Sequence, residues 1–316
     1  MHKVFILALF FSMFSCAKKE HKISILYTNA NVFNGETFAK KDFLVKDGLF
    51  QFNATFQPDV IVDLKDQYVI PPFGDAHTHN FDNLQKFDSI YKAYIREGVF
   101  YIQVLNNHYS HYLQLKDSIN SPGKLEVAFA HGGITSTGGH PHTLYETQAI
   151  NYSWRAMLDP SKKEELINSR LKENDAYYLM DSIADVRKKW ATVTSKKPAI
   201  VKIYMSNILD RTKEITNKNI GNYGLSEVVV TQVSELARKD NVRLYAHIET
   251  VSDFEVALKH DIKHFAHMPG YGGGLGNPDL QKLTISDATL KEAGAKGAMI
   301  IPTGIIRKIL CQLLGR

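Results

Sequence analysis

Cysteine is scarce in this chain of 316 residues, which contains only Cys16 and Cys311, so no disulfide framework is possible if Cys16 has another use. No apolar run reaches the roughly 20 residues of a membrane-spanning helix. The charge has no dominant sign, since 38 Lys and Arg are scattered among 33 Asp and Glu, and no nucleic-acid partner is expected. With 44% hydrophobic and 22% charged residues, the composition excludes disordered, collagen-like and coiled-coil proteins.

The amino terminus has the pattern of an export signal. A positive start, Met1-His2-Lys3, precedes an apolar run of 11 residues from Val4 to Phe14, which is too short to span a bilayer. The pattern over 1–15, followed by Cys16, resembles a bacterial lipoprotein signal, in which the cysteine becomes the lipid-bearing first residue. Residues 16–21 would then form a polar tether to the membrane. The alternative is an ordinary cleaved signal that happens to end at a cysteine, and either reading predicts an exported protein.

The rest of the chain changes its pattern at the Pro71-Pro72 pair. Residues 22–70 carry short alternating apolar runs separated by turn signals such as Asp47-Gly48, which predicts a small all-β segment. From 71 to 303, apolar strands alternate with amphipathic helices, which indicates a parallel sheet with crossover helices. Seven strands can be counted, so the predicted fold class is α/β, an incomplete TIM-type (β/α)8 barrel with an N-terminal β-sandwich segment.

The sequence also predicts two helices and the start of a third. The segments at 84–98 and 226–241 have amphipathic helical patterns. Ser252-Asp253-Phe254-Glu255 has the spacing of a capping box and predicts the start of a further helix.

Histidine is abundant, with 13 residues, and several lie where strands are predicted to end. His77 and His79 follow the first barrel strand, and side chains at i and i+2 of a strand point the same way, so the two can converge on one metal ion. Taken alone, the pair could equally be surface-loop histidines.

Three further strand positions favour a functional site. Lys202 lies in the otherwise apolar strand AIVKIYM, where an unpaired charge is costly, while His247 and His267 end two later strands. Individually, Lys202 could extend its ammonium group to the barrel rim, and His247 could be a satisfied core histidine. In barrels of this type, catalytic groups project from the carboxyl ends of different strands, so the four positions together predict one site.

Taken in order, the segments IPPFGDAHTH, VKIYM, LYAHIET and IKHFAHMPG resemble the amidohydrolase superfamily, in particular its imidazolonepropionase-like and prolidase-like metal-dependent hydrolases. The resemblance covers residues 22–303. It implies that His77 and His79 bind one divalent ion, that Lys202 is carbamylated and bridges two ions, and that His247 and His267 bind the second.

The same resemblance implies that the metal is one or two ions, with Zn favoured, and that His267 rather than His264 is the ligand. It also makes His140, in the segment Gly138-Gly139-His140-Pro141, a candidate substrate contact. The implied function is hydrolysis of a C–N bond other than a peptide bond, in a small-molecule substrate such as a cyclic amide or a dipeptide-like compound.

One expected feature is missing from the sequence. In this superfamily an aspartate ending the eighth strand transfers the proton, but no aspartate follows Asp287, and residues 304–316 form an atypical tail. The catalytic proton carrier is therefore unknown. The alternative hypotheses are a catalytically inactive fragment or metal-binding lipoprotein, and a purely structural lipoprotein. His108 and His111 could face the site, but they are interpreted as exposed histidines at a helix start.

Overall fold

The computed structural model describes residues 23–51, 57–270 and 279–303, and the chain divides into two units between Pro71 and Pro72. The predicted signal, the tether with Cys16 and the tail at 304–316 lie outside the described residues. Within the described ranges, no helix combines the length and the apolarity needed to cross a membrane.

The first unit contains one five-stranded sheet. Its strands are β1 (Ser24–Phe33), β2 (Phe38–Lys46), β3 (Leu49–Gln51), β4 (Val60–Asp63) and β5 (Tyr68–Val69). The strands β3, β2 and β1 are antiparallel neighbours, while β4 and β5 pair with β1 in parallel. Asp47 and Gly48 both have positive φ and form the β2–β3 turn, as the sequence predicts.

Within its described residues, the second unit contains nine strands, and all of their pairings are parallel. They are β6 (Phe73–Thr78), β7 (Val99–Val104), β8 (Glu126–Phe129), β9 (Gly133–Thr135), β10 (Tyr177–Leu179), β11 (Val201–Tyr204), β12 (Leu244–His247), β13 (His264–Phe265) and β14 (Met299–Ile300). The sheet orders are β6-β7-β8 and β10-β9-β11-β12-β13-β14. A hydrogen bond from Ala199 N to Phe129 O (2.9 Å) links β8 to the segment that enters β11.

Seven of these strands, from β6 to β8 and from β11 to β14, with β9 and β10 left aside, coincide with the seven predicted barrel strands. The sequence did not predict β9 and β10, because each is only three residues long and buried on both faces, without a period-two pattern. The fold is therefore α/β with parallel strands in a TIM-type arrangement, of which seven barrel strands lie in the described part of the chain.

Nine α-helices connect the strands or flank them. They are α1 (Phe87–Arg96), α2 (Tyr109–Leu115), α3 (His142–Ala149), α4 (Pro160–Asn168), α5 (Ile183–Ser195), α6 (Arg211–Thr216), α7 (Glu227–Lys239), α8 (Val251–Lys259) and α9 (Asp287–Ala295), counted within the described residues. The two predicted amphipathic helices are α1 and α7. The main core lies between α5, α7, α8 and the outer faces of the strands, where Val201, Ile203 and Phe254 are fully buried.

The predicted capping box is wrong by two residues. Helix α8 begins at Val251, and its cap is Thr250, whose hydroxyl accepts the Asp253 amide while the Asp253 carboxylate accepts the Thr250 amide. Two overlapping patterns with the same spacing occur here, and the sequence alone does not choose between them. The observed one is favoured because it buries Asp253 against several amide donors.

Candidate metal centre

A cavity of about 580 Å³ opens at the carboxyl ends of the barrel strands. Successive side chains of a strand point to opposite faces. On β11, Val201 and Ile203 therefore face the helices, while Lys202 and Tyr204 face the cavity. Four of the five predicted ligands line it, namely His79, Lys202, His247 and His267. The fifth, His77, contacts His79 and His267, so the five predicted side chains come together.

His77 and His79 face each other with their Nε2 atoms 3.3 Å apart. The Nδ1 atom of His77 lies 2.9 Å from the Ala266 carbonyl oxygen, and that of His79 lies 3.0 Å from the Asn106 carbonyl oxygen. A carbonyl oxygen only accepts hydrogen bonds, so each ring must carry its proton on Nδ1. In the neutral rings the two Nε2 lone pairs therefore point at a shared position.

Both rings are held neutral by their surroundings. Burial, followed by the charge of Lys202, lowers the pKa of His77 to about 2. Burial of the ring also lowers the pKa of His79, although the residue is open to solvent on its cavity side. A proton on Nε2 of His77 is therefore disfavoured at neutral pH, which leaves the lone pair of this nitrogen available.

Lys202 is 1% exposed in the middle of β11. Burial lowers the pKa of its amine to about 7, which makes the neutral form accessible. In the described ranges, no carboxylate lies within 4.0 Å of its ammonium group. A buried lysine without a counter-ion is costly to keep charged, which favours the neutral amine.

His247 and His267 lie side by side, with ring centroids 4.7 Å apart. Nε2 of His247 is 2.9 Å from Oε1 of Glu249, and Nδ1 of His267 is 2.9 Å from the Thr303 hydroxyl. Burial lowers the pKa of both rings. The Nε2 atom of His247 is thus engaged by a carboxylate, so this pair is less directly arranged for an ion than His77 and His79.

His140 reaches the cavity from the loop before α3. Its ring lies 4.8 Å from that of His247 and 5.2 Å from that of Tyr204, and burial lowers its pKa to about 3. The neutral imidazole can accept or donate a hydrogen bond inside the cavity. Its position suits the predicted role of substrate contact. By contrast, His264 stacks on Tyr245 (4.8 Å) and does not line the cavity.

Several cavity residues were not predicted from the sequence. Glu249, Tyr145 and Tyr204 line the cavity, and so does Asp82. Asp82 also binds His108 and His111, whose side chains are only 11% and 27% exposed, so the interpretation of this pair as exposed is wrong. For Asp82 the signal was the prediction of consecutive barrel strands, because the parallel pairing of β6 and β7 brings the segments that follow these two strands together.

No family model matches the chain, and no curated protein sequence is similar to it. Solved structures do match. A prolidase complexed with N-methylphosphonate-L-proline superimposes with a TM-score of 0.61 at 14% identity, covering 89% of this chain and 66% of the prolidase. An amidohydrolase gives a TM-score of 0.60 at 15% identity, with coverages of 89% and 66%.

A Xaa-Pro dipeptidase with methionine bound in its active site gives a TM-score of 0.61 at 14% identity, with coverages of 92% and 69%. The chain thus spans about two thirds of the length of these structures. At such low identities the likeness concerns the fold. The chain has the fold of prolidase and amidohydrolase structures.

Proposed function

We propose that this chain belongs to the amidohydrolase superfamily and is a metal-dependent hydrolase of C–N bonds other than peptide bonds. The substrate class we propose is a cyclic amide or a dipeptide-like compound. The fold shared with prolidases and amidohydrolases supports this proposal. The observation that carries it is the pair of imidazoles at the end of β6, which are fixed with their unprotonated nitrogens 3.3 Å apart.

The residues present fit a divalent ion. His77 and His79 offer two preoriented Nε2 donors, and the carbonyl oxygens of Ala266 and Asn106 hold the rings in place, an arrangement typical of metal-binding histidines. Lys202 would join this set as a carbamate, because its uncharged amine is the form that reacts with CO2. His247 and His267 would complete a second site. Zn²⁺ suits such nitrogen and oxygen donors.

A bound ion supplies Lewis acidity toward the scissile carbonyl and a hydroxide nucleophile at neutral pH. The protein itself must hold a proton for the leaving nitrogen. Among the described residues, the carboxylates that line the cavity are Asp82 and Glu249. We assign the proton to Glu249, because its carboxylate lies beside His247 within the ligand cluster. His140 and Tyr204 would orient the substrate by hydrogen bonds from the cavity wall.

The first test is the metal content of the purified chain. We expect wild-type protein to retain Zn²⁺ through dialysis, measured by inductively coupled plasma mass spectrometry, and the His77→Ala/His79→Ala variant to lose it. The matched control is His264→Ala, which removes a histidine from the same region without touching the cavity. A metal-free wild type, or unchanged metal in the double variant, would contradict the proposal.

The second test is hydrolysis of a panel of dipeptide-like compounds and cyclic amides, monitored by the release of free amine. Turnover that is lost in the double variant and retained in His264→Ala supports a hydrolase. Bound metal without turnover on any member of the panel favours the alternative, a metal-binding protein without catalytic activity.

We also propose that the protein is exported and anchored to a membrane through a lipid on Cys16, a proposal supported by the sequence pattern over residues 1–16. Metabolic labelling with a radioactive fatty acid tests it. Label should appear in the wild-type protein and be absent from Cys16→Ser. Equal labelling of both proteins would refute the anchor.

A further inference from the structure

A second histidine cluster lies in the segments that follow β6 and β7. Asp82 presents its carboxylate to two imidazoles, with Oδ2 2.9 Å from Nδ1 of His108 and Oδ1 2.8 Å from Nδ1 of His111. The rings lie 4.4 Å apart, and the edge of His108 packs against Tyr145. One donor atom from each of the three residues falls within 4.8 Å of the other two.

Asp82 is the common hydrogen-bond partner of this cluster. Oδ1 of Asp82 already accepts the main-chain amide of His108 at 2.8 Å. Nδ1 of His111 faces both this oxygen and the Asp82 main-chain oxygen, at 2.8 and 2.9 Å, although it can carry only one proton. In an ion-bound form the ring protons would lie on Nε2, so that both Nδ1 atoms and the carboxylate could bind one cation.

The negative charge of the Asp82 carboxylate also favours a bound cation. Its side chain is 13% exposed, and no lysine or arginine in the described part of the chain forms an ion pair with it. A carboxylate that is largely removed from water requires a compensating positive charge. One protonated histidine would balance this charge, and a divalent ion would do so with both imidazoles neutral.

We propose that Asp82, His108 and His111 form an additional binding site for a divalent transition-metal ion, separate from the proposed centre at His77 and His79. Two imidazoles and one carboxylate are a donor set common to Zn²⁺ and to other first-row divalent ions. The carboxylate oxygen and ring nitrogen of one such pair lie 2.8 Å apart. If each were about 2.1 Å from an ion, the donor–ion–donor angle would be about 85°, close to that of octahedral coordination. The site uses one ligand from the segment after β6 and two from the start of α2.

The test is the number of Zn²⁺ ions bound per full-length chain. The protein is loaded with Zn²⁺, dialysed against citrate as a weak chelator and analysed by mass spectrometry. We expect His108→Gln/His111→Gln to bind one ion fewer than wild type, and His264→Gln to bind the wild-type number. A double variant that keeps the wild-type number overturns the proposal, and so does an equal loss in the control.

A milder variant guards against misfolding. Asp82→Asn keeps an oxygen that can accept the His108 amide, so the start of α2 remains held while the charge is removed. We expect this variant also to lose one ion, with an unchanged circular dichroism spectrum. Full retention of Zn²⁺ in Asp82→Asn would count against the site.

The same measurement separates this inference from the proposed function. If His77→Ala/His79→Ala keeps every ion while His108→Gln/His111→Gln loses one, the proposed function fails and this site stands. The reverse pattern removes this site and leaves the proposed function intact.

Discussion

Among the buried groups around the site, Asp253 is the one whose removal we expect to lower the free energy of unfolding most. Its side chain is 0% exposed, and its carboxylate accepts four main-chain amides. Oδ2 lies 3.1 Å from Asn207 N and 2.9 Å from both Glu249 N and Thr250 N, and Oδ1 lies 2.7 Å from Ile208 N. It thus ties the segment after β11 to the segment after β12. Burial raises its pKa to about 6, so the group is ionised at neutral pH.

Truncation to alanine leaves four amides without an acceptor in a closed environment. A hydrogen bond to a charged group contributes about 1.5–3 kcal/mol, and a buried unsatisfied donor costs about 1–3 kcal/mol. Relaxation and water entry reduce the sum, so we expect Asp253→Ala to lower the free energy of unfolding by about 4 kcal/mol. Asp253→Asn retains one acceptor oxygen but places an NH2 group against an amide donor, and we expect a loss of about 2 kcal/mol.

Urea denaturation followed by fluorescence measures both losses, since Trp190 is 5% exposed and reports on the packing of α5. The matched control is Asp261→Asn, which breaks an exposed ion pair with Lys263 and should cost less than about 1 kcal/mol. If Asp253→Ala costs no more than this control, the amide cluster does not hold the two segments together.

Three other substitutions are expected to change the stability of the fold in different directions. Lys202→Met removes a proposed ligand, so hydrolysis should be lost. Because the buried amine has no carboxylate partner in the described residues, the metal-free protein should keep its stability or gain about 1 kcal/mol in urea unfolding. A clear destabilisation would contradict this. In Gly224→Ala the new Cβ collides with the main-chain oxygen of Tyr204, and we expect a loss of at least about 3 kcal/mol in thermal unfolding. Gly294→Ala places a methyl group in open space within α9 and should stabilise by about 0.5–1 kcal/mol. Similar results for the two glycines would refute the steric argument.

The positions of the five predicted ligands could be found from the sequence because each depends on local periodicity. A parallel strand directs alternate side chains to one face, so the spacing of His77 and His79 fixes their common direction. The apolar neighbours of Lys202 likewise identify its strand as buried. Since the carboxyl ends of parallel strands lie at the same end of a barrel, strand-end histidines are expected to meet.

Other contacts around the cavity were not predictable in the same way. The pairing of Asp82 with His108 and His111 joins segments 26 and 29 residues apart and depends on which strands are neighbours. Glu249 lies two residues after a predicted strand end, where the chain direction is no longer set by strand periodicity. The cap of α8 was misplaced because Thr250 and Ser252 offer the same spacing, and only the burial of Asp253 distinguishes them.

The orientation of the candidate ligands depends on main-chain groups from distant strands. His77, at the end of β6, is held by the carbonyl of Ala266 after β13, while His79 is held by the carbonyl of Asn106 after β7. A carbonyl oxygen can select the protonated ring nitrogen only when the barrel has brought the strands together. The two unprotonated nitrogens therefore acquire their 3.3 Å separation from the assembled fold and not from the His-Thr-His sequence itself. It follows that ion binding at this pair and the contact between the ends of β6 and β13 are thermodynamically linked, because each stabilises the geometry that the other requires.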